Sequence, residues 1–119
     1  MESFKLVYIC HPYSDDPEGN TLKVHNIVSN IYLKNERSLS QANSVQVIPI
    51  SSFTLLPKSM CEPKISRDIA MGFCLKMLGV CDEIWMYAVD SNGLTPGMRE
   101  EYLFSKAHKI RVVWKGFEN

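Results

Sequence analysis

The chain has 119 residues, and its 13 Lys and Arg balance its 13 Asp and Glu, so the formal net charge at pH 7 is zero with neutral histidines. A length of this order is typical of one small domain, and we expect residues 1–119 to form it. Without net charge the chain lacks the long-range attraction to phosphate that nucleic-acid and membrane-surface proteins show, so we expect a small-molecule ligand and no nucleic acid.

The apolar runs and the cysteines indicate a cytoplasmic protein. Residues 6–10 are too short an apolar run for a signal peptide, and the longest uncharged stretch, residues 38–57, contains Ser, Gln and Pro and is unsuited to a bilayer, so we expect no membrane partner. The cysteines form no Cys-x-x-Cys pair, and Cys10, Cys74 and Cys81 are interpreted as small buried hydrophobes with reduced thiols. The histidines lack metal-ligand spacing, so we expect no metal, and we expect no cofactor.

The first half of the chain predicts a strand, a helix and a second strand. Residues 4–10 are β-branched and aromatic, as in a strand, and they lead into a loop over residues 11–20. Apolar residues then recur at helical spacing over residues 22–32. The second strand is predicted over residues 45–50, and the prolines of residues 54–63 predict an irregular, lid-like excursion.

The second half predicts two helices, each followed by a strand. Residues 66–79 have helical periodicity between a serine N-cap and a glycine stop signal, and residues 83–89 form the third predicted strand. The Thr-Pro pair that opens residues 95–108 supplies an N-cap and a proline at the first helical position of the last helix. Residues 110–114 form the last predicted strand.

This alternation of strands and helices predicts an α/β fold. It is typical of a single-domain, three-layer α/β/α architecture with a mainly parallel sheet of four to five strands, flavodoxin- or Rossmann-like, and helices on both faces. Such sheets bind ligands outside the carboxyl ends of their strands, near the point where the strand order reverses. We therefore expect the site at that edge.

The loops expected at that edge carry hydroxyl, amide and aromatic groups, which suit a ligand made of a sugar and a base. Tyr13 and Phe53 can stack on a flat ring, although packing within the loops explains both equally well and a core position is the better interpretation of Phe53. The hydroxyls of Ser14 and Thr95 and the backbone N–H groups at the start of the last helix suit a 5′-phosphate. The candidate substrate-binding residues are His11, Pro12, Tyr13, Ser14, Ser51, Ser52, Phe53, Asn92, Thr95, Gly97 and Met98.

Common nucleotide-binding and catalytic-triad motifs are missing from their expected places. The first predicted strand is followed by neither Gly-x-Gly-x-x-Gly nor a P-loop motif, and no Ser-His-Asp arrangement is legible. Carboxylate chemistry remains, at Glu100 or Glu101 together with Asp90 and assisted by a tyrosine.

Four segments in order resemble a known group of proteins. VYICHPYS at residues 7–14, Asn20 at the start of a helix, CDEIW at residues 81–85 and GMREE at residues 97–101 resemble the signature of the nucleoside 2-deoxyribosyltransferase-like superfamily, and more closely that of its short bacterial and phage branch. The resemblance covers almost the whole chain, because the order of strands and helices also matches.

The resemblance implies an activity and a set of site residues. Glu101 matches the glutamate that attacks the anomeric carbon, Tyr8 matches the tyrosine that orients it, and Asp90 matches, more loosely, the acid that assists the departing base. The implied protein is a cofactor-independent N-glycosidase or deoxyribosyltransferase acting on a (deoxy)nucleoside or nucleoside 5′-monophosphate. Members of the superfamily form dimers or larger rings, so the resemblance also implies a homo-oligomer.

The same division of roles follows from the chemistry of glycosidic cleavage. The transition state resembles an oxocarbenium ion, so one carboxylate stabilises or captures the anomeric carbon while a second acid protonates the leaving group. Other interpretations stay open: acids are common in the first turns of helices, Tyr8 can belong to the core, and Asp90 can be an ordinary turn residue.

Three departures from the superfamily pattern touch the expected pocket. Ser51 stands where relatives often carry a histidine, Thr95-Pro96 replaces the usual serine and small or acidic residue, and residues 35–44 are expected to form a long loop. The alternative is therefore a non-catalytic protein that sequesters a nucleotide or an ADP-ribose-derived signal.

Overall fold

A parallel sheet forms the centre of the described part of the chain. The computed structural model describes residues 3–13, 15–39, 41, 44–52 and 67–116. Its strands are β1 (Ser3–Cys10), β2 (Val45–Ile50), β3 (Glu83–Met86) and β4 (Arg111–Trp114). Its helices are α1 (Pro17–Ser38), α2 (Arg67–Leu78) and α3 (Pro96–Ala107), and a 3₁₀ turn covers Ser91–Gly93.

The strand order places β1 inside the sheet. The order is β2-β1-β3-β4, and each neighbouring pair is parallel. Tyr8 of β1 lies opposite Ile50 of β2 and Ile84 of β3. The predicted α/β class with a parallel, Rossmann- or flavodoxin-like sheet is confirmed, with four strands in the described residues.

The two faces of β1 contact different helices, because successive side chains of a strand point in opposite directions. Val7 and Ile9 pack with Val24, Ile27 and Ile31 of α1. On the opposite face, the cluster that contains Tyr8 and Cys10 draws on α2 and α3; its other members are Leu78, Cys81, Ile84, Met86, Ala88 and Met98. Tyr8 and Cys10 therefore point toward the two helices of the second half of the chain.

The first helix and the third strand differ most from the predictions. The first helix ends at Ser38 and so includes the beginning of the loop that is predicted over residues 35–44. The first helix begins at Pro17, earlier than its apolar pattern indicates, because Asp16 caps it by accepting a hydrogen bond from Gly19 N at 3.2 Å and proline is favoured in the first turn. The third strand ends at Met86, although residues 87 and 88 are also buried. The apolar run thus continues past the strand as buried residues at the carboxyl edge of the sheet.

Helix α1 also covers the outer edge of β2. The side-chain amide of Asn35 donates to Val47 O at 2.7 Å, and its oxygen accepts from Val47 N at 2.9 Å. Asn35 thus makes the hydrogen bonds with Val47 that a neighbouring strand would otherwise make. Pro49, which has no N–H to offer, is tolerated because β2 is an edge strand. Across the described ranges, none of the helices combines the length and the apolar character that a membrane span requires.

Some predictions fall outside the described residues. These are the helix cap at Ser66, the irregular segment over residues 54–63, and the candidate ligand-binding residues Ser14 and Phe53.

Candidate functional site

Glu101 lies on the buried face of α3. Met98, Glu101 and Ser105 are the buried residues of this helix, and their spacing of three and four places them on one side of it. Glu101 is 8% exposed, whereas its neighbour Glu100 is exposed to solvent. Of the two adjacent glutamates, Glu101 is therefore the one that α3 turns toward the sheet.

Two side chains of β1 meet the Glu101 carboxylate. The Tyr8 hydroxyl donates a hydrogen bond to Oε2 of Glu101. The Cys10 thiol donates to Oε1, with Sγ and Oε1 3.4 Å apart. Each carboxylate oxygen thus has its own donor, and both donors come from one face of one strand. We call Tyr8, Cys10 and Glu101 the carboxylate cluster.

The electrostatics of the carboxylate cluster follow from its burial. Burial raises the pKa of Glu101 to about 7, the hydrogen bonds from Tyr8 and Cys10 oppose this rise, and the charge of Glu100 adds to it. Burial also raises the pKa values of Tyr8 and Cys10 well above their usual ranges, with further contributions from the Glu101 charge and from Cys74 of α2. Near neutral pH the carboxyl is therefore partly ionised while both donors keep their protons.

The carboxylate cluster lies where the strand order reverses. β1 and β3 are neighbours, but the chain continues from β1 to β2 on one side and from β3 to β4 on the other, and ligands of open α/β sheets bind at such a point. At the end of the two strands, Tyr87 N donates to Cys10 O at 2.9 Å. The rings of His11 and Tyr87 follow, with centroids 5.8 Å apart.

The loop after β1 is tied to the start of α1 by a buried asparagine. Asn20 is 4% exposed, and its side-chain amide donates to Tyr13 O at 3.2 Å and to Asp15 Oδ1 at 2.7 Å. His11, Pro12 and Tyr13 are half-buried. Burial lowers the pKa of His11, an effect that the nearby Pro12 carbonyl opposes, so its imidazole is mainly neutral at pH 7. Asn20 thus anchors Tyr13 and Asp15 in the loop that follows β1.

Asp90 follows β3 and immediately precedes the 3₁₀ turn. It is exposed, and its Oδ1 accepts a hydrogen bond from Asn92 N at 2.9 Å, which caps the 3₁₀ turn after β3. Asn92 is also exposed. The structure places Asp90 on the loop at the carboxyl edge but shows it as a turn residue, so its role as an acid stays a prediction.

The remaining candidates have distinct surroundings. Thr95 caps α3, since its Oγ1 accepts from Met98 N at 3.3 Å. Met98 is 2% exposed and belongs to the core cluster behind the carboxylate. Gly97, which lies between Thr95 and Met98 in the sequence, is half-buried. At the end of β2, Ser51 is fully buried and Ser52 is half-buried.

Sequence reasoning missed the roles of Cys10 and Asn20. Cys10 is buried, as predicted, but it is a hydrogen-bond donor to Glu101 as well as a packing residue. A usable signal was its position two residues after Tyr8, which places both side chains on the same face of a strand. Cys81 is also buried and Cys74 is half-buried, so the interpretation of all three cysteines as buried hydrophobes holds only in part.

Among the described residues, no group of three or more His, Cys, Asp and Glu side chains is arranged to hold a metal ion.

Fold and site together define an α/β protein with a parallel sheet and a buried carboxylate at its topological switch point. The chain belongs to the family described as Domain of unknown function (DUF7768), whose model matches residues 5–115. None of the curated proteins matches the sequence.

Among solved structures, the chain is similar to that of a 2-desoxiribosyltransferase from Leishmania mexicana. The TM-score is 0.60 and the identity is 14%, and the match covers 96% of this chain and 65% of the Leishmania chain. The chain therefore spans less than two thirds of that protein's length. At this identity the similarity shows a shared fold.

Proposed function

We propose that the protein is an N-glycosidase or deoxyribosyltransferase that acts on a (deoxy)nucleoside or nucleoside 5′-monophosphate through Glu101. The observation that carries the proposal is the buried Glu101 carboxylate with a donor on each oxygen, at the point of the sheet where ligands bind. The fold shared with a protein described as a desoxiribosyltransferase and the ordered motifs around Tyr8 and Glu101 support the same class of reaction.

In the proposed reaction, Glu101 captures the anomeric carbon of the sugar. The bond between that carbon and the base breaks with its electron pair on the base, which takes up a proton, while a carboxylate oxygen of Glu101 bonds to the carbon. Water or an acceptor base then attacks the same carbon and releases Glu101 as a carboxylate. The hydrogen bond from Tyr8 orients the carboxylate in the first step and stabilises its returning charge in the second.

Groups from the surrounding loops complete the proposed site. Asp90 protonates the departing base, and the Tyr13 ring stacks on it. The hydroxyls of Ser14 and Thr95, together with the backbone at Gly97, bind a 5′-phosphate when one is present.

The position of Asp90 favours one alternative, a protein that binds a nucleotide without cleaving it. Asp90 is exposed and hydrogen-bonded to Asn92, so within the described residues it is not held beside Glu101 as a second buried acid. Without efficient protonation of the base, the same site would retain its ligand intact.

The test is incubation of the purified protein with nucleosides, deoxynucleosides and their monophosphates, followed by chromatography for free base and for retained ligand. We expect free base from the wild type, a loss of at least 100-fold in E101Q with ligand binding retained, and near wild-type turnover in the control E100Q. The control is matched because Glu100 is the adjacent, exposed carboxylate. Intact bound ligand without free base would establish the binding alternative, and neither product nor binding would refute both.

We also propose that the chain acts as one domain in a homo-oligomer in the cytoplasm. Trp114 on the edge strand β4 is 38% exposed and is a candidate contact between copies. The described cysteines, Cys10, Cys74 and Cys81, are free thiols, which suits a reducing compartment. Light scattering at micromolar concentration tests the oligomer, and a monomer would contradict it.

A further inference from the structure

We infer that Cys10 is a second positioning residue for Glu101: its thiol holds Oε1 as Tyr8 holds Oε2, so that two donors from β1 fix the plane of the carboxylate. The inference deepens the proposed function and rests on it for its catalytic consequence. The hydrogen bond itself, with Sγ 3.4 Å from Oε1 between two buried side chains, stands apart from any activity.

The geometry explains why two donors from one strand suffice. Tyr8 and Cys10 are alternate residues, so their side chains leave the same face of β1. β1 is paired on both sides, with Cys10 opposite Met86 of β3, and its backbone is therefore held in place. One donor alone would leave the carboxylate free to rotate about its last torsion.

A thiol is suited to this position because it is a weak donor. A buried carboxylate without donors would be mostly protonated at neutral pH, whereas strong donors on both oxygens would lower its pKa and its nucleophilicity together. Burial keeps Cys10 in the thiol form, with its pKa raised well above the usual range, so it donates a proton and does not compete as an anion. The titratable groups that bear on this carboxyl are Tyr8 and Cys10 from β1 and Glu100 from α3, and Cys74 from α2 faces the two donors.

The first experiment measures the hydrogen bond directly by infrared spectroscopy of the wild-type protein. The S–H stretch falls in a region that other protein groups leave clear, and the Cys10 band is identified by its loss in C10A. We expect this band to shift to lower frequency as the pH rises through about 7, when Glu101 ionises, and to lose that pH dependence in E101Q. A Cys10 band that is unchanged across this pH range would overturn the inference.

The second experiment measures the pKa of Glu101 by NMR of carbon-13-labelled glutamate side chains. Loss of one weak donor to a charged group is expected to raise that pKa by about one unit in C10A. The matched control is C81A, since Cys81 is a buried thiol of the same core that donates instead to Met77 O at 3.4 Å. C81A removes a comparable packing volume and should leave the pKa of Glu101 unchanged. An equal shift in both variants would show that Cys10 acts through packing alone.

The kinetic consequence separates positioning from damage to the fold. A one-unit rise from about 7 lowers the ionised fraction of Glu101 at pH 7 from about one half to about one in eleven, which predicts a loss of about five-fold in kcat/KM. At pH 9 the loss should nearly vanish, whereas a structural defect would lower activity at every pH. Spectroscopic shifts without turnover of any nucleoside would leave the role of Cys10 standing and refute the proposed function. Turnover that requires Glu101 but has the same pH profile in C10A would refute the role of Cys10 alone.

Discussion

Replacing Glu101 by glutamine should remove a pH-dependent loss of stability, so the variant should gain stability relative to the wild type as the pH rises. Burial raises the pKa of Glu101 from 4.5 to about 7, so the folded state holds a proton that the unfolded chain releases between these values. At 1.36 kcal/mol per unit, the wild type loses about 3 kcal/mol of unfolding free energy from this one group as the pH rises through that window. Above about pH 7 the loss is complete, and below 4.5 the contribution is fully present.

The glutamine variant carries a neutral side chain of the same size and therefore lacks this pH-dependent loss. Its amide nitrogen cannot accept a hydrogen bond, so one of the two donors, Tyr8 or Cys10, loses its acceptor at every pH. We expect the stability of E101Q relative to the wild type to rise by about 3 kcal/mol between pH 4.5 and pH 8, while the pH-independent cost of the lost hydrogen bond is the difference measured near pH 4.5. Urea titrations followed by tryptophan fluorescence at several pH values measure the difference, and groups that titrate alike in both proteins cancel. E100Q is the control, because Glu100 is exposed and its charge makes only the smallest contribution to the raised pKa of Glu101, so the divergence should be much smaller. Parallel stability profiles for E101Q and the wild type would refute the buried-carboxylate reasoning.

Three further predictions concern the proposed site. Y8F removes a hydrogen bond to the Glu101 carboxylate that is worth about 1.5–3 kcal/mol. The acidic limb of the profile of kcat/KM against pH should therefore move to higher pH by about one to two units. An unchanged limb would show that Tyr8 does not lower the pKa of Glu101. D90N keeps an oxygen that can accept from Asn92 N but removes the acid, so turnover should fall at least ten-fold with unchanged thermal stability, and unchanged turnover would exclude Asp90 as the proton donor. N20A frees the loop after β1 and leaves the carboxylate cluster intact, so KM should rise several-fold with kcat preserved; a fall in kcat alone would contradict an anchoring role.

Much of the fold could be predicted from local patterns. The alternation of apolar runs with helical periodicity depends on neighbouring residues only, and it located the described strands and helices and their parallel class. The errors lay at the ends of helices and strands, where capping and backbone pairing decide which residues belong to the element. Asp16 capped the first helix ahead of its apolar pattern, and the third strand ended at Met86 while its apolar run continued to Ala88.

The candidate site could likewise be predicted only in part from the sequence. Sequence motifs alone nominated Tyr8 and Glu101, and helical spacing separates the buried Glu101 from the exposed Glu100 once the inner face of the helix is known. The donation from Cys10 could not be predicted, because it joins residues 91 positions apart and depends on how β1 and α3 pack. A cysteine in an apolar strand looks the same in sequence whether its thiol meets a methyl group or a carboxylate. Local periodicity thus determined which elements form, and only tertiary packing decided which polar groups are buried together and how far that burial shifts their pKa values.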